Sequence, residues 1–400
     1  MPAQGDAGAA PRAEAGKVPQ YRWTVLAVGA AATAALAAVQ GGLPALGPAL
    51  REAYGLSLVE VTAIFTSFST GTLLTVFAWG ALSDRLGERL VLSAGLAAGS
   101  IALAGTAATS GYLALLASVF VAGLLGSCAV TGSGRAVIGW FPRAERGVAL
   151  GLRQTAVPVG AAVASLSLPA LAAALSLDAA LLALAGAMLL AALAAAVWLR
   201  EPPERRSAAP PAPPPTRDPR NWRLSLASAL MIVGQVGVTS LLVLFLADEH
   251  GWRPARAALV LGAVQLGGAV ARIAAGRWSD RRDERIEPLR RLAAASGALL
   301  LAAAALAGAP TALLVPVLAL GGVLAMSWNG LSFTAAAEMS GRAQAGRAIG
   351  LQNTALRAAS ATVPVGLGAL ASAWSWAAAF AVMGVAALTG RALLRPLVDE

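Results

Sequence analysis

Hydrophobic residues in this 400-residue chain arrive in twelve blocks, near residues 23–46, 58–80, 90–108, 112–139, 147–174, 179–199, 222–247, 255–277, 291–309, 312–335, 347–372 and 375–394. Each holds roughly 18–26 residues, enough for a helix rising 1.5 Å per residue to cross a ~30 Å hydrocarbon core. A soluble domain is excluded, because 58% hydrophobic and 12% charged residues leave too little polar surface to hold a chain of this length in water. The blocks predict an all-α polytopic membrane protein with twelve transmembrane helices. The sixth and twelfth blocks carry no polar side chain until their ends and are expected to face lipid.

A short polar stretch follows the second block and returns after the eighth. Gly80-Ala-Leu-Ser-Asp84-Arg85-Leu-Gly87-Glu-Arg89 is repeated 196 positions later as Gly276-Arg-Trp-Ser-Asp280-Arg281-Arg-Asp283-Glu-Arg285. A second pair, Gly147-Val-Ala-Leu-Gly151-Leu-Arg153-Gln154-Thr155 and Gly346-Arg-Ala-Ile-Gly350-Leu-Gln352-Asn353-Thr354, is offset by 199. Two offsets that agree to within a loop insertion mark two parallel six-helix pseudo-repeats. Between them residues 200–221 hold eight of the 22 prolines and read as an extended linker. The expected organisation is a tail over 1–21, a six-helix bundle over 22–199, the linker over 200–221, a second bundle over 222–394 and a tail over 395–400.

The net charge of +10 invites a nucleic-acid partner, but its placement argues for a lipid bilayer instead. With both tails inside, 23 of the 30 basic residues fall in cytoplasmic segments, three outside (Arg51, Arg253, Arg256) and four within helices (Arg135, Arg153, Arg272, Arg357). That asymmetry is the positive-inside bias of membrane insertion, and it predicts cytoplasmic termini in the inner cell membrane. The polar, Ala/Gly/Pro-rich first twenty residues lack the apolar core of a signal peptide, so the first helix is expected to direct insertion. One cysteine (Cys128) and one histidine (His250) leave no disulfide framework, no metal site and no expected cofactor.

Six plus six helices, a central cytoplasmic loop and Gly-x-x-x-Asp-Arg-x-Gly-x-Arg after the second helix resemble the major facilitator superfamily of secondary transporters. The resemblance covers the whole chain. The Trp140-Phe141-Pro142-Arg143-Ala-Glu145-Arg146-Gly147 run is also similar to that family. The second motif departs from the pattern, with Asp283 where the first has Gly87. The resemblance implies a carrier working by alternating access, with eight helices around a cavity and the third, sixth, ninth and twelfth peripheral. Two family features of proton-coupled drug export are weakened here: Val119 stands where the fourth helix would carry an arginine, and the Gly-Pro run is reduced to Val157-Pro158-Val159-Gly160.

The motif residues Gly80, Asp84, Arg85, Gly87, Arg89, Gly276, Asp280, Arg281 and Arg285 suit a gate. Glycines allow close approach and a tight turn, and Asp84 can accept bonds from an arginine or a helix N-terminus, latching the halves on the cytoplasmic side. The plainer reading is that Arg85 and Arg89 only retain the loop inside.

Polar groups within hydrocarbon are costly, so their positions point to the substrate path. Candidate contacts are Arg357, Gln265, Gln235, Asn329 and Asn353 near the midplane, with Gln40, Arg153, Gln154, Arg272 and Arg135 behind them. None falls on the four helices expected to be peripheral. Asn353 and Arg357 share a helical face, as do Gln265 and Arg272. Acidic residues sit only near helix ends (Glu60, Asp178, Asp248, Glu249, Glu338), so Arg357 either meets an anionic substrate or bonds to surrounding carbonyls and amides. Arg135 and Arg153 lie nearer the cytoplasm, where they could snorkel, pair with Glu145 or touch ligand. Pro158 and Pro364 would kink their helices, Trp328 either stacks on a ligand or packs, and Cys128 reads as a small packing residue.

The expected function is transport of a small anionic organic solute, with efflux of amphipathic drugs or metabolites as the alternative. A coupling ion is not assigned, since no carboxylate or histidine falls at the midplane. An enzyme would need a metal cluster or an activated nucleophile that this sequence lacks. A transporter-like sensor without flux is the remaining class.

Overall fold

The computed structural model describes residues 20–108, 111–141, 145–201 and 218–397, without the side chains of residues 77, 84, 135, 138–139, 146–148, 150–151 and 341–347. Most of the expected N-terminal tail, the linker core at 202–217 and the end of the C-terminal tail lie outside the described residues. So do Arg143 and the side chains of Asp84 and Arg135.

Fifteen α-helices make up the described chain: α1 (Tyr21–Ala45), α2 (Gly47–Tyr54), α3 (Leu58–Leu86), α4 (Glu88–Ala104), α5 (Tyr112–Gly126), α6 (Cys128–Trp140), α7 (Arg146–Ala174), α8 (Leu177–Trp198), α9 (Pro219–Asp248), α10 (Pro254–Arg282), α11 (Ile286–Ala305), α12 (Thr311–Ala325), α13 (Asn329–Met339), α14 (Gly341–Ala373) and α15 (Trp376–Leu393). Eleven stretches among the described residues are long and apolar enough to cross a membrane, with α5–α6 and α12–α13 each forming one of them. The twelfth span is α14, whose 33 residues carry Arg357 sixteen positions from either end.

The two halves repeat the same contacts. α1 lies against α7, α3 against α5 and α4 against α8, while α9 lies against α14, α10 against α12 and α11 against α15. Capping repeats too: the Ser176 hydroxyl accepts from Ala179 N–H at the start of α8, and Ser375 accepts from Ala378 N–H at the start of α15, both at 3.1 Å. Within each half, small residues let backbones meet. A Cβ on Gly71 would stand 2.8 Å from the Leu124 amide nitrogen, and one on Gly384 would stand 2.8 Å from the Gly297 carbonyl.

Four sequence expectations change. The motif stretches are helix ends rather than loops, because α3 runs on to Leu86 and α10 to Arg282, so one residue turns the first chain into α4. The linker ends at Asp218, not 221: Asp218 caps α9 by accepting from Arg220 N–H at 2.9 Å, and Pro219 opens the helix with its preset φ. Bonds from the Arg220 guanidinium hold the Asp218 carboxyl below the usual carboxylate range. Next, α8 and α15 are apolar all round but not lipid-facing all round. Leu181, Leu184 and Met188 are buried while Leu190 is 69% exposed; Phe380 and Met383 are buried while Val385 is 54% exposed.

Last, the fourth and tenth spans are broken at Ser127 and Ser327, positions 200 apart. Each hydroxyl donates back to the carbonyl three residues earlier, Leu124 at 3.1 Å and Leu324 at 2.7 Å, competing with the helical ladder.

Call the membrane face holding Gly87 and Asp283 the motif side, and the opposite face the distal side. The halves meet on the distal side. Arg51 of the short α2 forms an ion pair with Asp248 at the end of α9. The Val365 N–H of α14 donates to Thr66 Oγ1 of α3 at 3.1 Å, and Gly368 lies against the Thr62 side chain. Leu166 of α7 closes on Gly262 of α10 in the same layer.

Candidate functional site

Behind the distal contact lies a cavity bounded by α1, α3, α6, α7, α9, α10 and α14, with two connected parts that share Ala37, Gln40, Phe68, Ser69 and Val157. The distal part is neutral and polar, lined by Gln235, Gln265, Thr239, Ser240 and Ser69 beside Phe65 and Pro364. Gln265 Nε2 donates to Thr239 Oγ1 at 3.4 Å, and Thr239 in turn donates to the Gln235 carbonyl at 2.9 Å. Gln235 Oε1 is buried without a partner. An unsatisfied buried acceptor costs about 1–3 kcal/mol, a cost that a ligand hydroxyl or amine would remove.

The part nearer the motif side is cationic. It is lined by Arg153, Gln154, Asn353, Arg357, Ser360 and Thr33, and no acidic residue is among the described residues lining either part. Arg153 Nη1 donates to Ser133 Oγ at 2.8 Å and to Thr33 Oγ1 at 3.3 Å, and Nη2 donates to Gln154 Oε1 at 3.5 Å. The two hydroxyls can orient for this, since Thr33 donates to the Gly29 carbonyl at 2.8 Å and Ser133 donates to the Ala129 carbonyl. Arg357, half-buried at the centre of α14, has no hydrogen-bond or ion-pair partner among the described residues.

The second half holds a twin of the Arg153 cradle. Gln352 Nε2 donates to Ser228 Oγ at 2.9 Å and to Ser332 Oγ, and those hydroxyls are 2.6 Å apart. Positions 133 and 153 map onto 332 and 352 with the repeat offset of 199, and Thr33 maps onto Ser228 at 195. Gln352 is fully buried and does not line the cavity. The same cradle therefore holds a charge in the first half and a neutral amide in the second.

The cavity thus gathers Gln40, Arg153, Gln154, Gln235, Gln265, Asn353 and Arg357. It does not gather Arg272 and Asn329. Arg272 donates to the Met326 carbonyl at 3.0 Å and to Asn329 Oδ1 at 3.1 Å, bridging the break between α12 and α13. A cation at a helix C-terminus is favoured by the dipole and by unpaired carbonyls, so Arg272 turns to the break although Gln265 on the same helix reaches the cavity. The Arg135 side chain is outside the described residues. Trp328 is fully buried, so it packs rather than stacking on a ligand. Sequence reasoning passed over Thr33, Ser69, Phe65 and Phe68, because a hydroxyl or phenyl on an apolar helix carries no signal of its direction.

At the motif, a Cβ on Gly80 or Gly276 would meet nothing within 4 Å, so the expected close approach is absent at both in this conformation. Gly87 does serve the turn. Its φ of 86° and ψ of 159° lie in a region open essentially to glycine alone, whereas Asp283 sits at φ 53°, ψ 31°, a left-handed conformation that aspartate tolerates. Arg89 donates to the Ala196 carbonyl at 2.9 Å, and Arg285 bonds Asp280 at 2.5 Å and Glu338 at 3.2 Å, so each cluster ties helix ends within its own half. Arg85 and Arg281 are exposed. Gly87→Ala is expected to destabilise the protein by about 1–3 kcal/mol, while Asp283→Gly stays within about 1 kcal/mol of wild type. Thermal unfolding in detergent checks the pair; equal losses would contradict the backbone assignment.

A family model described as Major Facilitator Superfamily matches residues 28–364. An MFS-type transporter of Mycobacterium tuberculosis strain H37Rv is 34% identical over 369 residues, which is 91% of this chain and 82% of the relative, and its counterpart in strain CDC 1551 matches to the same extent. A hexuronate transporter of Bacillus subtilis strain 168 is 27% identical over 117 residues, 29% of this chain and 28% of that protein. Among solved structures, a bacterial homologue of the human lysosomal transporter Spinster, inward-facing and unoccupied, shares the fold with a TM-score of 0.74 at 14% identity, over 95% of this chain and 96% of that one. With twelve spans in two repeats around a polar cavity, the chain belongs to the major facilitator superfamily, as a multi-pass membrane transporter of small molecules and not an enzyme.

Proposed function

We propose that this carrier moves a small organic anion across the inner cell membrane by alternating access, with the motif side and both termini in the cytoplasm. The single observation that carries this reading is Arg357, a central guanidinium facing the cavity with no partner among the described residues. A charge halfway along a membrane-spanning helix without a counter-ion is costly, and an anionic ligand is the group that would supply one. The amide and hydroxyl groups of the distal part then suit a solute with further polar groups beside its carboxylate. Segment similarity to a protein named as a hexuronate transporter supports such a hydroxylated acid. The basic residues gathered on the motif side support the orientation. With the halves in contact distally, the described conformation would be inward-facing, and Asp84 would act as a latch in the opposite state.

Efflux of amphipathic compounds draws support from the apolar arc of Leu36, Phe65, Phe68 and Val157 in the same cavity. The two arginines outweigh that arc, because an apolar cation would meet two positive charges there. The test is counterflow in proteoliposomes loaded with glucuronate, succinate or inorganic phosphate, each against its labelled form outside, beside parallel assays with ethidium and tetraphenylphosphonium. Counterflow of at least one anion is expected. Transport of the cations with no anion counterflow would overturn the proposal.

A further inference from the structure

The cavity holds a second arginine whose position carries more than binding. Arg153 belongs to α7 in the first half and Arg357 to α14 in the second, yet both line the same cationic part, where they repel each other. We propose that Arg153 and Arg357 form one clamp across the two halves, that its occupant is a doubly charged anion, and that their repulsion makes the carrier an obligatory exchanger. This rests on the anion reading above.

Arg153 lies about one turn toward the motif side of Val157 on α7, and Arg357 about two turns toward it from Pro364 on α14, residues that line the distal part of the cavity. Alternating access must bring the halves together on that side, which moves the arginines toward each other while water is expelled. Like charges brought together in a medium of falling dielectric repel steeply, so the empty carrier meets a barrier to closure. An anion seated between the guanidinium groups reverses the sign of that term, and two negative charges balance it. No described acidic residue or histidine lines the cavity to neutralise the clamp by another route. His250 is engaged elsewhere, its Nε2 lying 2.9 Å from the Ala307 carbonyl on the distal side. The carrier then crosses loaded and does not return empty.

The internal repeat shows that the charge at 153 is not needed to build the cradle. Gln352 occupies the equivalent place between two hydroxyls, so a glutamine at 153 has a ready-made precedent in the same chain. Arg153→Gln therefore removes half of the clamp charge at small structural risk.

The experiment measures uptake of labelled succinate, phosphate and glucuronate into proteoliposomes that hold either the same unlabelled anion or none. For wild type, uptake of a doubly charged anion with the anion inside should exceed uptake without it by about tenfold or more. Arg153→Gln should bring that ratio toward unity and shift preference from succinate toward glucuronate, while Arg153→Lys, which keeps the charge, preserves the ratio. If wild type fills empty and loaded vesicles equally, exchange is wrong although the anion reading stands. If Arg153→Gln retains the wild-type ratio and preference, the clamp is wrong. If no anion enters loaded vesicles, the anion reading falls and this inference with it. Should Arg153→Gln not fold, an Arg153→Lys ratio near unity would overturn the charge argument by itself.

Discussion

Arg357→Gln is expected to weaken anion binding by about 2–4 kcal/mol, roughly thirtyfold to several hundredfold in Kd, while the protein stays folded. Removing one member of a buried charge pair leaves the other unpaired, and that penalty falls wholly on the bound complex. In the empty carrier Arg357 bonds to nothing among the described residues, so its loss opens no hydrogen-bond network. Removing a central unpaired charge should even raise the melting temperature of the unloaded protein. Arg272 is the contrasting control. It is equally arginine on a transmembrane helix, but its guanidinium closes the break between α12 and α13 through Met326 and Asn329. Arg272→Gln should lower the melting temperature and leave affinity nearly unchanged. Concentration dependence of counterflow and thermal unfolding in detergent separate the two. Unchanged affinity in Arg357→Gln would remove that residue from the site.

That contrast marks where sequence reasoning stops. Twelve apolar blocks and two offsets near 200 fix the spans and the repeat, because membrane crossing imposes length and apolarity on every helix regardless of its neighbours. The midplane amides Gln235 and Gln265 and the guanidinium of Arg357 were legible for the same reason, as polar groups in hydrocarbon need a purpose. Arg272 satisfies that rule as well, and nothing in its own helix separates it from a ligand contact. Its partner is a carbonyl freed by a break at Ser327, and hydropathy averaged over a span does not register one serine. The cradles of Arg153 and Gln352 were hidden likewise: Ser133, Ser228 and Ser332 come from other helices, and pairwise meeting across 20–124 positions is a property of the packing.

Gly368→Leu is expected to hold the distal side open and to reduce transport by about ten- to a hundredfold. A Cβ at 368 would overlap the Thr62 side chain and stand 3.0 Å from Thr62 Cβ. Thr62 cannot swing aside cheaply, since it is fully buried and its hydroxyl donates to the Leu58 carbonyl at 2.8 Å. Overpacking of this kind costs about 1–3 kcal/mol, and here only the distally sealed state bears it, so the population shifts by the corresponding factor. The Arg51–Asp248 ion pair spans the same seam, but its side chains are 28% and 33% exposed, and pairs that meet water contribute about 0–1 kcal/mol. The seal is therefore mainly packing, and Arg51→Ala should shift it less than Gly368→Leu does. Gly366→Leu serves as control on the same helix, because a Cβ there meets nothing within 4 Å. Spin labels at the exposed Glu52 and Glu249, one on each half, report the distal separation, and Cys128 is buried out of reach of the labelling reagent. A longer distance in Gly368→Leu alone, with transport falling in step, locates the distal seal between α3 and α14. If Gly368→Leu keeps both the wild-type distance and the wild-type rate, the distal seal lies elsewhere than at the Thr62–Gly368 contact.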